Sequence, residues 1–141
     1  NLALQIEPPL VCFSSENISN GPARPTTQPN AWVSDPQDQQ PSLSLTWEQA
    51  VTISRITLEL DPDWDHPMES VLMTHPEEVS PFMVKDLDLC DASGSTLAEI
   101  RGNHSAHLSI ELPEPVSTHS LELKVLSTQG GPASLFRVRV H

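Results

Sequence analysis

Apolar and polar residues alternate with a period of two along most of the chain, the pattern of strands with one buried and one solvated face. Leu43-Ser44-Leu45-Thr46-Trp47 is such a run, with Trp47 expected to point inward. Val51-Thr52-Ile53 alternates likewise. Ile56, Leu58 and Leu60 resume one residue out of phase, which predicts a β-bulge and a kink near Ser54-Arg55. A similar phase change separates Phe82 and Val84 from Leu87 and Leu89. Asp91-Ala92-Ser93-Gly94 then reads as a turn leading into a hairpin strand over Thr96 to Ile100. Leu108-Ser109-Ile110-Glu111-Leu112 is the cleanest alternation and is expected to stop at Pro113 and Pro115. Leu121-Glu122-Leu123-Lys124-Val125 repeats it, and Phe136, Val138 and Val140 share one face with Arg137 and Arg139 on the other. About seven or eight short strands result, with no helical apolar stripe, so the predicted class is all-β: an antiparallel β-sandwich of two packed sheets.

Two long segments break this rhythm, Asn17 to Pro41 and Asp61 to Pro81. Loops of this length inside a compact domain are usually functional or disordered. In the first, Trp32 stands among turn formers and is expected to anchor the loop to the core. Shorter irregular segments lie at Arg101 to His107 and Ser127 to Ser134. Alternate connections of an antiparallel sandwich emerge at the same end, so these loops are expected to share one surface.

Composition narrows the function classes. The length of 141 residues suits one domain, and 14 Pro, six aromatic rings and no Tyr argue against a helical bundle. A formal charge of −12 disfavours nucleic acid and anionic membrane as partners. No stretch is long and apolar enough to span a membrane. The start Asn1-Leu2-Ala3-Leu4 has neither an initiator Met nor a signal-peptide pattern, so a single domain excised from a larger multidomain protein is expected. Cys12 and Cys90 have no metal or redox spacing; they are either free thiols or one long-loop disulfide. Asn17-Ile18-Ser19 and Asn103-His104-Ser105 match the glycosylation sequon, relevant only in a eukaryotic secretory pathway.

Asp61-Pro62-Asp63-Trp64-Asp65-His66, followed by Glu69 and His75, is the densest polar cluster. Its carboxylates and imidazoles invite a metal, but the run lacks the Gly and distal Glu of an EF-hand loop, and a solvated acidic turn accounts for it as well. Trp64 in that loop is a platform on which a sugar ring could stack; local packing beneath the loop is the competing role. Arg24, Asn30, Arg101, Asn103, His104 and His107 are the other loop groups able to donate hydrogen bonds, and an Arg fork would hold the carboxylate of an acidic sugar. The ligand-binding set expected from the residues is therefore Trp64, Asp65, His66, Glu69, His75, Arg24, Asn30, Arg101, Asn103 and His104. No nucleophile motif appears in its supporting context, and no catalytic residue is expected.

The loop containing Asn30-Ala31-Trp32, the pair of runs Leu43 to Trp47 and Val51 to Leu60, and the closing pair Leu121 to Val140 together span most of the chain. In order and rhythm they resemble the discoidin, or coagulation-factor type C, domains of the galactose-binding-like superfamily. The string Asp65-His66-Pro67-Met68-Glu69-Ser70-Val71-Leu72-Met73 with Arg101-Gly102-Asn103-His104 is similar to the C-terminal accessory domain of certain bacterial FAD-dependent oxidoreductases, a domain that does not itself hold the flavin. The first resemblance implies a jelly roll whose loops at one end bind glycans, lipid head groups or proteins, commonly beside a structural calcium. Arg137 stands in the last strand, where that family often has an acidic residue near the ion, which weakens the calcium expectation here. The combined expectation is a non-catalytic carbohydrate-binding module that recognises a polysaccharide or oligosaccharide, belongs to the same polypeptide as a catalytic domain, and is secreted or periplasmic. A docking module without a sugar ligand is the first rival, and a metal-dependent hydrolase built on Asp61 to His75 the second.

Overall fold

A computed structural model describes residues 13–19, 30–61 and 82–141. Within them lie a short 3-10 helix, Ser15–Ser19, and six strands: β1 Trp32–Val33, β2 Ser42–Leu60, β3 Val84–Asp91, β4 Thr96–Ile100, β5 His107–Thr128 and β6 Ser134–Val140. They form one antiparallel sheet in the order β1-β6-β2-β5-β3-β4. This sheet folds over into two layers because its two central strands turn a corner together. Ser42–Thr46 of β2 pairs with Ser120–Lys124 of β5, and Arg55–Glu59 of β2 pairs with His107–Glu111. Between these ladders Trp47–Ala50 of β2 face only His119, while Leu112–Pro115 of β5 face only Ser54. Extra residues on alternating sides bend both strands, as bulges do. One layer is then β4, β3, the C-terminal half of β5 and the N-terminal half of β2; the other is the N-terminal half of β5, the C-terminal half of β2, β6 and β1.

The core lies between the layers. Ile53, Ile56, Leu58 and Leu60 meet Leu87, Leu89, Leu121 and Leu123, all buried. The bulge expected near Ser54-Arg55 is present, as is the phase change in β3, where register slips on either side of Asp86. Trp32 is buried in the core and Trp47 packs half-buried against it. Asp91 closes the β3–β4 hairpin by accepting the Ser93 and Ser95 N–H groups at 2.8 and 3.0 Å, with Gly94 at φ 83°, a left-handed conformation that Gly adopts without penalty.

Three expectations need correction. The runs Leu43–Trp47 and Val51–Leu60 form one bent strand, and so do Leu108–Leu112 and Leu121–Val125. Pro113 and Pro115 do not terminate β5, because they sit where the ladder is already interrupted and their missing N–H groups cost no paired bond. Second, the regular pairing expected of β6 is interrupted: register slips between Glu59 and Leu60, so β6 bulges at Phe136 and Leu135 joins the core, while Phe136 and Val138 are buried as expected and Arg137 and Arg139 are more exposed. Third, the body begins before Leu43: Trp32-Val33, expected in a loop, pairs with Leu135 and Ser134. Cys90 is a buried free thiol; Cys12 lies outside the described residues.

Candidate functional site

Every connection between the two layers in this topology leaves from one end of the sandwich. The chain passes there from β1 to β2 through residues 34–41, from β2 to β3 through 61–83, from β4 to β5 through 101–106 and from β5 to β6 through 129–133. Hydrogen bonds tie these connections to one another and to neighbouring strands: Gln129 N–H donates to the Met83 carbonyl at 3.0 Å, Asn103 N–H to the Lys85 carbonyl of β3 at 2.8 Å, and Leu60 N–H of β2 to the Ala106 carbonyl at 2.7 Å.

The 101–106 connection is held by side chains that reach back into the first layer. Asn103 is buried; its Nδ2 donates to the carbonyls of Val84 and Ser105, at 2.8 and 3.1 Å, and its Oδ1 accepts the Ser105 N–H at 2.9 Å. Its carbonyl accepts Gln129 Nε2 at 3.0 Å. Asp86 accepts Gly102 N–H at 2.7 Å on one oxygen and the Ser127 hydroxyl at 2.5 Å on the other. Those two bonds, the Ser127 one foremost, hold the Asp86 carboxyl below the usual carboxylate range. Gly102 has φ 62°, which lets the chain turn so that its N–H faces Asp86. Arg101 forms an ion pair with Asp88 at 2.7 Å and a longer one with Glu99 at 3.4 Å, and it donates to the carbonyls of Leu87 and Ile100. The bond to Asp88 leads in raising the guanidinium further above its ordinary value, so Arg101 is a permanent cation.

On the neighbouring side, Ser34 exchanges two bonds with Ala133: its N–H donates to the Ala133 carbonyl, and its hydroxyl accepts the Ala133 N–H, both at 2.9 Å. Asp35 and Asp38 each accept a backbone N–H two residues on, from Gln37 and Gln40, so the 34–41 loop is built from consecutive Asx turns. Between this loop and the 129–133 connection opens a cavity of about 320 Å³ lined by Asp35, Asp38, Gln39, Gly130, Gly131 and Pro132 among others. Leu126, 54% exposed, also lines it. Ser134 donates to Asp61 at 3.0 Å, which fixes the departure of the long β2–β3 connection at this same end.

Of the residues expected to bind ligand, Arg101, Asn103 and His104 come together on one connection at this end. His104 is exposed, with Nδ1 3.3 Å from the Gly102 carbonyl. Asn103 has its amide committed to the backbone and shapes the loop from within. Asn30 is buried beside Ala31 and Trp32. Arg24, Trp64, Asp65, His66, Glu69 and His75 lie outside the described residues, although the anchors of the 61–83 connection, Asp61 and Met83, are both at this end. Asp86, Ser127, Gln129 and Ser34 were not anticipated. Asp86 and Ser127 are 41 positions apart, and no local spacing announces their contact. Among the described residues, no three His, Cys, Asp or Glu side chains cluster to hold a metal ion, and no helix is long and apolar enough to cross a membrane.

No family model and no curated protein matches the sequence. Solved structures do match its fold. The family 32 carbohydrate-binding module of Streptococcus pneumoniae EndoD superposes with a TM-score of 0.67 at 19% identity, covering 94% of this chain and 88% of that one. The family 32 module of C. perfringens NanJ, solved with galactose, gives 0.68 at 14% identity over 93% and 86% of the two chains. A fucose-binding module of Streptococcus pneumoniae gives 0.65 at 15% identity over 93% and 86%. The chain thus has the antiparallel β-sandwich fold of these modules.

Proposed function

We propose that this chain is a non-catalytic carbohydrate-binding module that takes a glycan at the loop end of its sandwich. The observation that carries the reading is the departure of all four interlayer connections from one end of the sandwich, in a fold shared with modules solved as galactose- and fucose-binding proteins. That surface combines exposed hydrogen-bonding groups, His104, Asp35, Asp38 and Gln39, with backbone held rigidly from below by Asn103 and Asp86. A rigid base lowers the ordering cost of binding, which matters for a ligand whose hydroxyls already bond well to water. In this reading Trp64, on the connection anchored by Asp61 and Met83, supplies the stacking platform. Asp65, His66, Glu69, His75 and Arg24 stand as further hydrogen-bonding groups of the same face. The module serves a catalytic domain of the same polypeptide by concentrating it on its substrate, in a secreted or periplasmic setting.

Titration of the ¹⁵N-labelled domain with galactose, fucose and chitotriose tests this directly. Amide shifts at residues 34–39, 64–75, 101–105 and 129–133, with the far end unaffected, are the expected result. Trp64→Ala should abolish retention on a glycan affinity gel without moving the melting temperature. No response to any neutral or acidic glycan from a folded sample would overturn the reading in favour of the docking module.

A further inference from the structure

The outer face of the second layer carries a charge pattern opposite to that of the molecule. Arg55, Thr57 and Glu59 of β2 lie beside Arg139 and Arg137 of β6 and the terminal His141 on one side, and beside Glu111, Ser109 and His107 of β5 on the other. Three of the chain's seven Lys and Arg thus share a face with two of its nineteen Asp and Glu. Among the described residues Arg137 and Arg139 have a single carboxylate between them: Glu59 Oε1 lies 3.8 Å from NH1 of each, too far for a hydrogen bond. Arg55 has no ion pair among the described residues. Both β6 guanidinium forks therefore keep donors for an incoming anion.

Beside these two arginines, between β6 and the 3-10 helix, is a cleft of about 410 Å³ lined by Ile18, Ser19, Arg137, Val138 and Arg139. Its apolar residues, Ile18 and Val138, belong to the core and are almost wholly buried, so what it offers a ligand is polar: the two arginines at its edge and the Ser19 hydroxyl, which donates to the Glu16 carbonyl and keeps its acceptor capacity. An acidic sugar has features that match these, a planar carboxylate and hydroxyls. Guanidinium forks hold carboxylates through two parallel charge-assisted bonds. A protein partner fits less well: among the described residues the strands expose no large apolar or aromatic side chain on this face, and Phe13, ahead of the 3-10 helix, is the single exposed aromatic near it in sequence. A long polyanion is opposed by the overall charge of −12, whereas at physiological ionic strength screening over about 8 Å lets a ligand of one to three rings feel mainly the local arginines.

We infer that the cleft beside Arg137 and Arg139 is a second glycan site, selective for a uronic acid residue in a short oligosaccharide and separate from the loop end. The inference rests on the carbohydrate reading for the ligand class but uses none of its residues. Trigalacturonate, with neutral galactotriose as control, is the probe for ¹⁵N-labelled protein at low and physiological salt. The expected result is amide shifts at Ile18, Ser19 and residues 137–139 with trigalacturonate alone, weakening as salt rises. The double variant Arg137→Gln, Arg139→Gln should weaken that binding about tenfold or more and leave neutral-glycan shifts at the loop end unchanged. Lack of these shifts, or shifts only at the loop end, overturns the second site without touching the first. Equal binding of a Glu-rich peptide, lost in the same variant, overturns the sugar assignment and makes the face a protein contact. An unchanged melting temperature in the variant guards against misreading a folding defect.

Discussion

The two ends of this sandwich are built on different principles. At the loop end the chain crosses between layers through four connections, fastened largely by side chains reaching to distant backbone: Asn103 to Val84, Asp86 to Gly102, Gln129 to Asn103, Ser34 to Ala133. At the far end β2 and β5 cross as strands, and among the described residues the polar fastenings there are the Asp91 hairpin, which is local, and the mainly backbone bonds that join Ser54 and Arg55 to the distant His141. The far end derives its shape from burial and the loop end from individual hydrogen bonds. Substitutions at the far end should therefore act on global stability, and those at the loop end on local order and ligand binding.

The largest expected effect comes from the corner. Ile53 is fully buried where β2 bends, so Ile53→Ala removes methyl groups from a place the bent backbone cannot easily refill. A loss of about 2–5 kcal/mol is expected in chemical denaturation, with glycan affinity of the still-folded fraction unchanged. A loss below about 1 kcal/mol would mean that the corner is not held by core packing.

Next comes the buried amide of the loop end. Asn103→Ala leaves the Val84 carbonyl and the Ser105 N–H without the partner they now have, a cost of about 1–3 kcal/mol. Unlike Ile53→Ala, it should accelerate amide exchange selectively at residues 101–106 and 129 and weaken binding at the loop end by a larger factor than the stability change alone explains. Uniform faster exchange throughout both layers would erase the contrast between the ends.

The corner and the loop end also differ in how far they can be read from the chain. The slip from Ile53 to Ile56 marks the bend directly, because a strand has a period of two and one extra residue moves every later side chain to the other face. The continuity of β5 was hidden by Pro113 and Pro115, which look like terminators until the partner strand shows that no ladder bond was due there. The bulge at Phe136 is hidden for a related reason: alternation is intact in the residue types, and the slip shows only in the pairing with the neighbouring Leu60. At the loop end, Asn103 and Arg101 were legible as polar groups in an irregular segment. Their partners were not, since Asp86, Ser127 and Gln129 come from strands and connections far away in sequence and meet them only after the layers close.

The smallest effect expected is electrostatic and separates the ends by pH. Asp86 at the loop end and Asp91 in the far hairpin both have carboxyl groups held below the usual range, Asp86 chiefly by the Ser127 hydroxyl and Asp91 chiefly by the Ser93 hydroxyl. A carboxylate with a depressed folded value favours the folded state at pH above its unfolded value of about 3.9, and this contribution fades as pH falls through the lower folded value. Acid should therefore loosen both latches, with the Gly102 amide resonance reporting Asp86 and the Ser95 amide reporting Asp91. Asp86→Asn should abolish the Gly102 titration, leave that of Ser95 in place, and lower loop-end affinity at neutral pH, where the wild-type carboxylate is fully charged. It should also make the melting temperature fall less steeply with acid than in the wild type. A Gly102 midpoint at or above the ordinary carboxylate value, or an equally steep acid limb in the variant, would show that Asp86 does not fasten this end.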